Sequence, residues 1–162
     1  MTYSSIEASG SSFALRRARR DDVDALIALI AADALRAAEF GSGDDERAGY
    51  LRAFDAIDAD ASQLLLALEA PDGRIVGTMQ LTFIPGLSRG GATRMQIEAV
   101  RIDEALRGAG LGGAMIEWAV GHARERGARL VQLTSDARRG DAHRFYERLG
   151  FEASHVGFKR YL

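Results

Sequence analysis

No cysteine occurs in the 162 residues. That excludes disulfides, thiolate metal sites and a cysteine nucleophile. Lysine is nearly absent too: Lys159 is the only one, so arginine carries almost all the positive charge. No apolar run approaches the roughly 20 residues of a membrane span, and no Gly-Lys-Ser/Thr is present for a Walker-type phosphate loop. Met1–Ser12 are small and polar, without the apolar stretch of a secretory leader, so a frayed start is expected there. His122, His143 and His155 are scattered without ligand spacing, and no metal site is expected from them. A formal net charge of −2 supplies no concentrated basic face for nucleic acid. What remains is the expectation of a cytoplasmic protein with neither nucleic acid nor membrane as partner. The length suits one domain over residues 1–162 with a real core.

Periodicity gives the elements. Phe13–Ala18 alternates as a strand. Asp21 or Asp22 is expected to cap a helix in which Val23, Leu26, Ile27 and Ile30 recur at helical spacing. The cluster Arg16-Arg17-x-Arg19-Arg20 reads as a solvated face. Gly41-Ser42-Gly43 breaks the chain, and a second helix runs from Asp44 to about Ile57 with acids in its first turn. Strands follow at Gln63–Ala70 and Arg74–Phe83, a hairpin about Pro71-Asp72-Gly73. Ile84–Gly91 reads as a loop and Thr93–Ile102 as a third strand of the meander. A helix from about Gly110 to Arg126 stops at Gly127. Leu130–Thr134 is a strand, Asp141–Leu149 a helix, and Phe151–Tyr161 a closing strand. The order is βααβββαβαβ, an α/β mixed sheet with helices on both faces.

The densest signal is at residues 98–113, where an extended apolar segment enters a turn and four glycines open a helix. Glycine lets backbone N–H groups approach a ligand with no Cβ in the way, and the positive end of the helix dipole favours an anion there. Arg107 adds a cation. This is a pyrophosphate seat. Gly108-x-Gly110-x-x-Gly113 also matches the dinucleotide fingerprint. However, five residues separate the strand from the first glycine, and only about fifty residues follow, too few for the remaining βαβ units of such a domain.

Arg107-x-x-Gly110-x-Gly112 resembles the Arg/Gln-x-x-Gly-x-Gly/Ala signature of the GNAT superfamily of acyl-CoA-dependent N-acetyltransferases. Ala142-His143-Arg144-Phe145-Tyr146-Glu147-Arg148-Leu149-Gly150-Phe151 resembles that family's later Ala-x-x-Phe-Tyr-Glu-x-Leu-Gly-Phe segment. Leu15-Arg16-Arg17-Ala18-x-x-x-Asp22 is similar to its first strand and helix start. The resemblance implies a mostly antiparallel sheet whose central strands splay to admit the donor's pantetheine arm. It implies acetyl-CoA as acyl donor and no metal. The residues implied to hold acetyl-CoA are Val100, Arg101, Ile102, Arg107, Gly108, Ala109, Gly110, Leu111, Gly112, Gly113, Arg139 and Phe145. The acceptor implied is an amine of a small molecule or protein, and a homodimer is compatible with the family. Where relatives carry an asparagine this chain has Arg139, and Arg138-Arg139 are candidates for phosphate contacts.

Acetyl transfer to an amine asks for a base and an acid. Glu98 is the base candidate, on the strand entering the glycine turn, and period two would place it on one face with Val100 and Ile102. A structural ion pair is the competing reading. Tyr146 is the acid candidate, because a phenol of pKa about 10 is protonated at neutral pH. The competing reading there is core packing. Gln132 and Asp136 lie on the neighbouring strand and its end, and His143 reads as an ion-paired or hydrogen-bonded surface residue. The Leu111, Met115, Trp118, His122 stripe reads as a packed helix face. Asp33, Glu39, Asp44, Asp45, Glu46, Asp55 and Asp58 make acidic the segment that the resemblance implies covers the acceptor side, but solvated helix faces explain them as well. The rival function is a non-catalytic acyl-CoA-binding module.

Overall fold

The computed structural model describes residues 2–32 and 44–162. Gly41-Ser42-Gly43, Asp33 and Glu39 lie outside them. The described elements are β1 (Thr2–Ala8), β2 (Ser11–Arg17), α1 (Val23–Ala31), α2 (Asp44–Ala59), β3 (Gln63–Glu69), β4 (Ile75–Ile84), α3 (Ser88–Gly91), β5 (Arg94–Ile102), α4 (Leu111–Glu125), β6 (Leu130–Leu133) and α5 (Gly140–Arg148). The six strands lie in sequence order in one sheet. All neighbouring pairs are antiparallel except β5–β6, which is parallel. None of the described helices is long and apolar enough to cross a membrane.

Strict alternation sorts the core between two faces. On β3, Leu64, Leu66 and Leu68 join Met79, Leu81, Met95 and Ile97 beneath Leu111, Met115, Ile116, Ala119 and Ala123 of α4. Ala67 turns the other way and packs with Val23 and Leu26 of α1 and Phe54 of α2. Helices therefore cover both faces. Gly73 (φ 85) makes the expected hairpin turn, and its N–H donates to the Ala70 carbonyl at 2.9 Å.

Both ends of the chain depart from the sequence expectation. Thr2–Ala8 is not frayed: Ile6 is buried and β1 pairs with β2 through residues 2–8. Tyr3 packs on Trp118 at 5.5 Å between ring centroids, and Trp118 stacks on His122 at 4.9 Å. Ring packing anchors a segment whose small polar residues gave no hint of it. Burial, followed by the charge of Arg126, pushes the His122 imidazole down from its ordinary value. At the other end, Phe151–Tyr161 forms no strand.

In the arginine cluster Arg19 and Arg20 are exposed, as a solvated face requires, but Arg16 is not. Arg16 is 4% exposed and grips Asp22 through two bonds of 2.7 and 2.9 Å, while its Nε donates to Glu69 at 2.6 Å. Arg17 and Arg20 pair with Asp58 and Asp55 of α2. Asp22 does not cap α1 with its side chain. It reaches back to accept the Arg19 N–H at 2.6 Å. Burial alone would raise the Asp22 carboxyl, but the hydrogen bonds from Arg16 and Arg19 hold it below the usual carboxylate value.

Candidate active site

The site begins in a defect of β5. Thr78 pairs with Arg101 and Gln80 with Glu98, so Ala99 and Val100 together oppose Met79 alone. This is a β-bulge, and Ala99 takes the left-handed conformation (φ 52) to make it. The extra residue reverses the alternation. Before it, Met95 and Ile97 face α4; beyond it, Val100 and Ile102 do. Glu98 therefore does not share a face with Val100 and Ile102, which corrects the period-two expectation. It is exposed on the side of α1 and α2. Pairing with β6 also ends at Ile97–Leu133, and Glu98–Ile102 continues without that neighbour. The sheet opens there.

Beyond Ile102, Asp103 accepts the Ala105 N–H at 2.9 Å and starts a short 3-10 turn over Glu104–Leu106. Gly108 and Gly110 both adopt φ 84, which L side chains rarely tolerate. No side chain caps α4, so its first N–H groups lack intrahelical partners and carry the positive end of the dipole. A Cβ built on Gly108, Gly110 or Gly113 would meet nothing within 4 Å. One built on Gly112 would lie 3.7 Å from Phe145 Cζ and 3.8 Å from Ile102 Cγ1.

These glycines border a cavity of about 480 Å³, walled also by Ile102, Leu106, Arg107, Leu111, Phe145, Arg148 and Leu149. Most of the residues expected to hold acetyl-CoA meet at this wall, although Val100, Arg101, Ala109 and Arg139 are not on it. Leu106, Arg148 and Leu149 are lining residues that sequence reading missed, and Arg148 is the charged one. The signal was available, because Arg148 follows Phe145 by three and Leu149 by four, one helical stripe. Arg107 lies 3.6 Å from the Glu104 carboxylate with more than half its side chain exposed, so that pairing is heavily screened.

Tyr146 is half-buried, edge-on to Phe145 at 5.1 Å and to Phe151 at 5.9 Å. Burial pushes its phenol above the ordinary value, against the opposing charges of Arg101 and Arg139. Arg139 thus acts beside Tyr146. Arg138 is held by Asp136 at 2.9 and 2.7 Å, and these bonds keep the Asp136 carboxyl well below the usual range. His143 Nε2 lies 2.9 Å from the Asp136 carbonyl oxygen, the hydrogen-bonded role expected of it.

On the face opposite α4, a row of neutral polar side chains crosses four strands. Gln63 stands opposite Thr82, Thr82 opposite Gln96, and Gln96 opposite Gln132. Thr82 Oγ1 donates to Gln63 Oε1 at 2.8 Å, Gln80 Nε2 to the same oxygen at 3.1 Å, and Gln132 Nε2 to Gln96 Oε1 at 2.7 Å. Gln80 leads to Glu98 in the next row. Each strand alone shows only an outward polar residue. Their alignment depends on register.

Comparison with known proteins places the chain in a family. Over 83 residues the chain is 42% identical to the glucosamine 6-phosphate N-acetyltransferase of Trypanosoma brucei brucei, covering 51% of this chain and 54% of that protein. Over 67 residues it is 37% identical to the aminoalkylphosphonate N-acetyltransferase of Salmonella typhimurium, covering 41% and 44%. The chain thus spans about half the length of the curated relatives it matches. A crystal structure described as a transcriptional regulator from Bacillus halodurans is 39% identical, with a TM-score of 0.88 over 93% of this chain and 99% of that one. The model of the acetyltransferase (GNAT) family matches residues 16–151, from the buried Arg16 through the glycine turn to Phe151, and the chain belongs to that family.

Proposed function

We propose that residues 1–162 act as one N-acetyltransferase domain that moves an acetyl group from acetyl-CoA to a primary amine on a small polar molecule. The observation that carries this reading is the glycine turn. Two left-handed glycines and an uncapped helix N-terminus border open space, next to the point where β5 and β6 part. Backbone N–H groups of residues 108–113, with Arg107 and Arg148, hold the diphosphate, while Ile102 and Phe145 flank the arm that follows it. Acetyl-CoA supplies an activated thioester.

The chain's own residues supply proton handling. Glu98, exposed on the acceptor side of the opened sheet, takes a proton from the incoming ammonium directly or through water. An amine of pKa about 10.4 is neutral in only about one molecule in two to three thousand at pH 7, a penalty of about 4–5 kcal/mol, and a base at this position relieves much of it. Tyr146, its proton held firmly by burial, donates to the departing sulfur. Gln80, paired with Glu98, and Gln96 and Gln132 of the adjacent row offer uncharged donors and acceptors beside Glu98, which suits a small polar acceptor. Amines bearing phosphate or phosphonate are the first to try, since the names of both curated relatives specify such acceptors.

Release of free thiol on mixing the protein, acetyl-CoA and a panel of amines tests the proposal. The panel comprises glucosamine 6-phosphate, an aminoalkylphosphonate, polyamines and a peptide N-terminus. Turnover with one of them is expected. The B. halodurans relative's description as a regulator favours a second reading, an acyl-CoA-binding module without turnover. That reading predicts stabilisation by acetyl-CoA with no thiol release from any amine.

A further inference from the structure

Most arginines of the sheet have evident partners. Arg16 and Arg17 of β2 pair with carboxylates, and Arg101 of β5 donates to the Val100 carbonyl oxygen at 2.7 Å. Arg94, the first residue of β5, differs. It is half-buried, its Nε is shut off from water, and among the described residues no group accepts a hydrogen bond from it. Its cross-strand neighbours, Ile84 and Leu130, are apolar. A Cβ built on Gly86 would lie 3.8 Å from Arg94 Nη1, so the guanidinium rests against the β4–β5 connection. Residues 85–93 of that connection include no acid. A partly desolvated cation without a counter-charge is costly, and an anion from outside relieves the cost.

Position gives that anion a role. The bulge begins at Ala99, so alternation is unbroken from Arg94 to Glu98. Met95 and Ile97 turn to α4, and Arg94, Gln96 and Glu98 share the other face. Four residues of strand set Arg94 and Glu98 about 13 Å apart at Cα, and both side chains are long enough to narrow that gap to the length of a small molecule. Gln96 lies between them, uncharged and bonded to Gln132 at 2.7 Å. The face is therefore polarised, negative where the sheet opens and positive at the start of β5.

We propose that Arg94 binds an anionic group of the acceptor, so that the acceptor is a zwitterion lying along β5 with its amine at Glu98 and a phosphate or phosphonate at Arg94. This rests on the acetyltransferase reading above and adds to it the acceptor's charge pattern and orientation. The planar guanidinium presents paired N–H donors that match the oxygens of such a group. The same polarity rejects polyamines, whose second cation would meet Arg94. An uncharged amine leaves Arg94 without its partner.

Calorimetry on the protein saturated with CoA tests this without requiring turnover. The probes are glucosamine 6-phosphate against glucosamine, and aminoethylphosphonate against ethylamine. In at least one pair the anionic amine should bind about thirtyfold more tightly than its uncharged counterpart, the size of hydrogen bonds to a charged group. Arg94→Ala should shrink that preference to about threefold or less, and Arg94→Lys should recover part of it, keeping the charge but not the fork. A merely structural role would weaken both members of a pair alike and leave their ratio intact. Circular dichroism reports folding, and Arg94→Gln, which keeps much of the side chain's length, carries the same comparison if Arg94→Ala is unstable. An unchanged ratio in the folded variants, or a wild type that prefers neither anionic amine, overturns the proposal. Thiol release from the same amines reports separately on the acetyltransferase reading: its absence alongside an Arg94-dependent preference would remove the activity and keep the anion site.

Discussion

In the proposed mechanism Tyr146 and Glu98 divide the chemistry between them, and their surroundings differ sharply. Tyr146 is wedged between two phenyl rings with its phenol held protonated by burial, so Tyr146→Phe removes a proton and little else. Acetyl-CoA affinity measured by calorimetry should stay within about twofold, while kcat falls about ten- to a thousandfold, near the range of a single proton-transfer residue. An unchanged kcat, with chemistry rate-limiting, would leave Tyr146 only a packing role. Glu98 stands in water, so Glu98→Gln should leave the melting temperature unaltered. Its kcat/KM should drop at neutral pH and recover toward wild type as rising pH supplies the neutral amine without help. A constant ratio across pH would transfer the base role to solvent.

At the scale of elements, the glycines of the turn are not equivalent. Gly110 precedes α4 at φ 84, whereas Gly113 lies within the helix at an ordinary φ with nothing within 4 Å of a Cβ. Gly113→Ala should therefore raise stability by about 0.5–1 kcal/mol through helix propensity. Gly110→Ala should lower it by about 1–2 kcal/mol through left-handed strain. Urea unfolding of the two variants side by side checks the opposite signs. A bulky residue at Gly110 would thus confound binding with folding. Gly112, beside Phe145 and Ile102, is the better place to obstruct the seat.

Across the whole molecule, Arg16 and Asp22 tie the first strand of the family match to the entry of α1 and, through Glu69, to β3. Removing one partner of so buried a pair strands the other's charge, and Asp22→Asn should cost about 3 kcal/mol at pH 7. The sign with pH follows from the lowered carboxyl. Its stabilisation is complete above the unfolded value of about 3.9 and is lost as pH falls through the lower folded value. The stability gap between wild type and Asp22→Asn should therefore shrink below about pH 4, as denaturant titrations at pH 7 and pH 3 would show. A gap that stays constant would mean that Asp22 does not titrate against Arg16.

Local order was legible because it is written in short-range patterns. The 3.6-residue stripe of α4, the left-handed Gly127 at its end, the hairpin about Gly73 and the anion-seeking turn at 108–113 all depend on neighbours in the chain. What spans the chain was not legible. The bulge at Ala99 cannot be seen from β5 alone, because only the pairing with β4 reveals two residues opposite one, and with it Glu98 changes face. Arg16 reads as solvated until Asp22 and Glu69 are brought to it. Thr2–Ala8 is tethered by rings more than a hundred positions away, and Gln63, Thr82, Gln96 and Gln132 become a row only through three strand registers. Sequence alone determined the elements between Phe13 and Leu149 and the glycine turn, though not the two ends of the chain, since propensity, periodicity and glycine geometry act over a few residues. The tertiary structure decided which face each functional side chain occupies and what it touches, because register and burial are properties of packed elements.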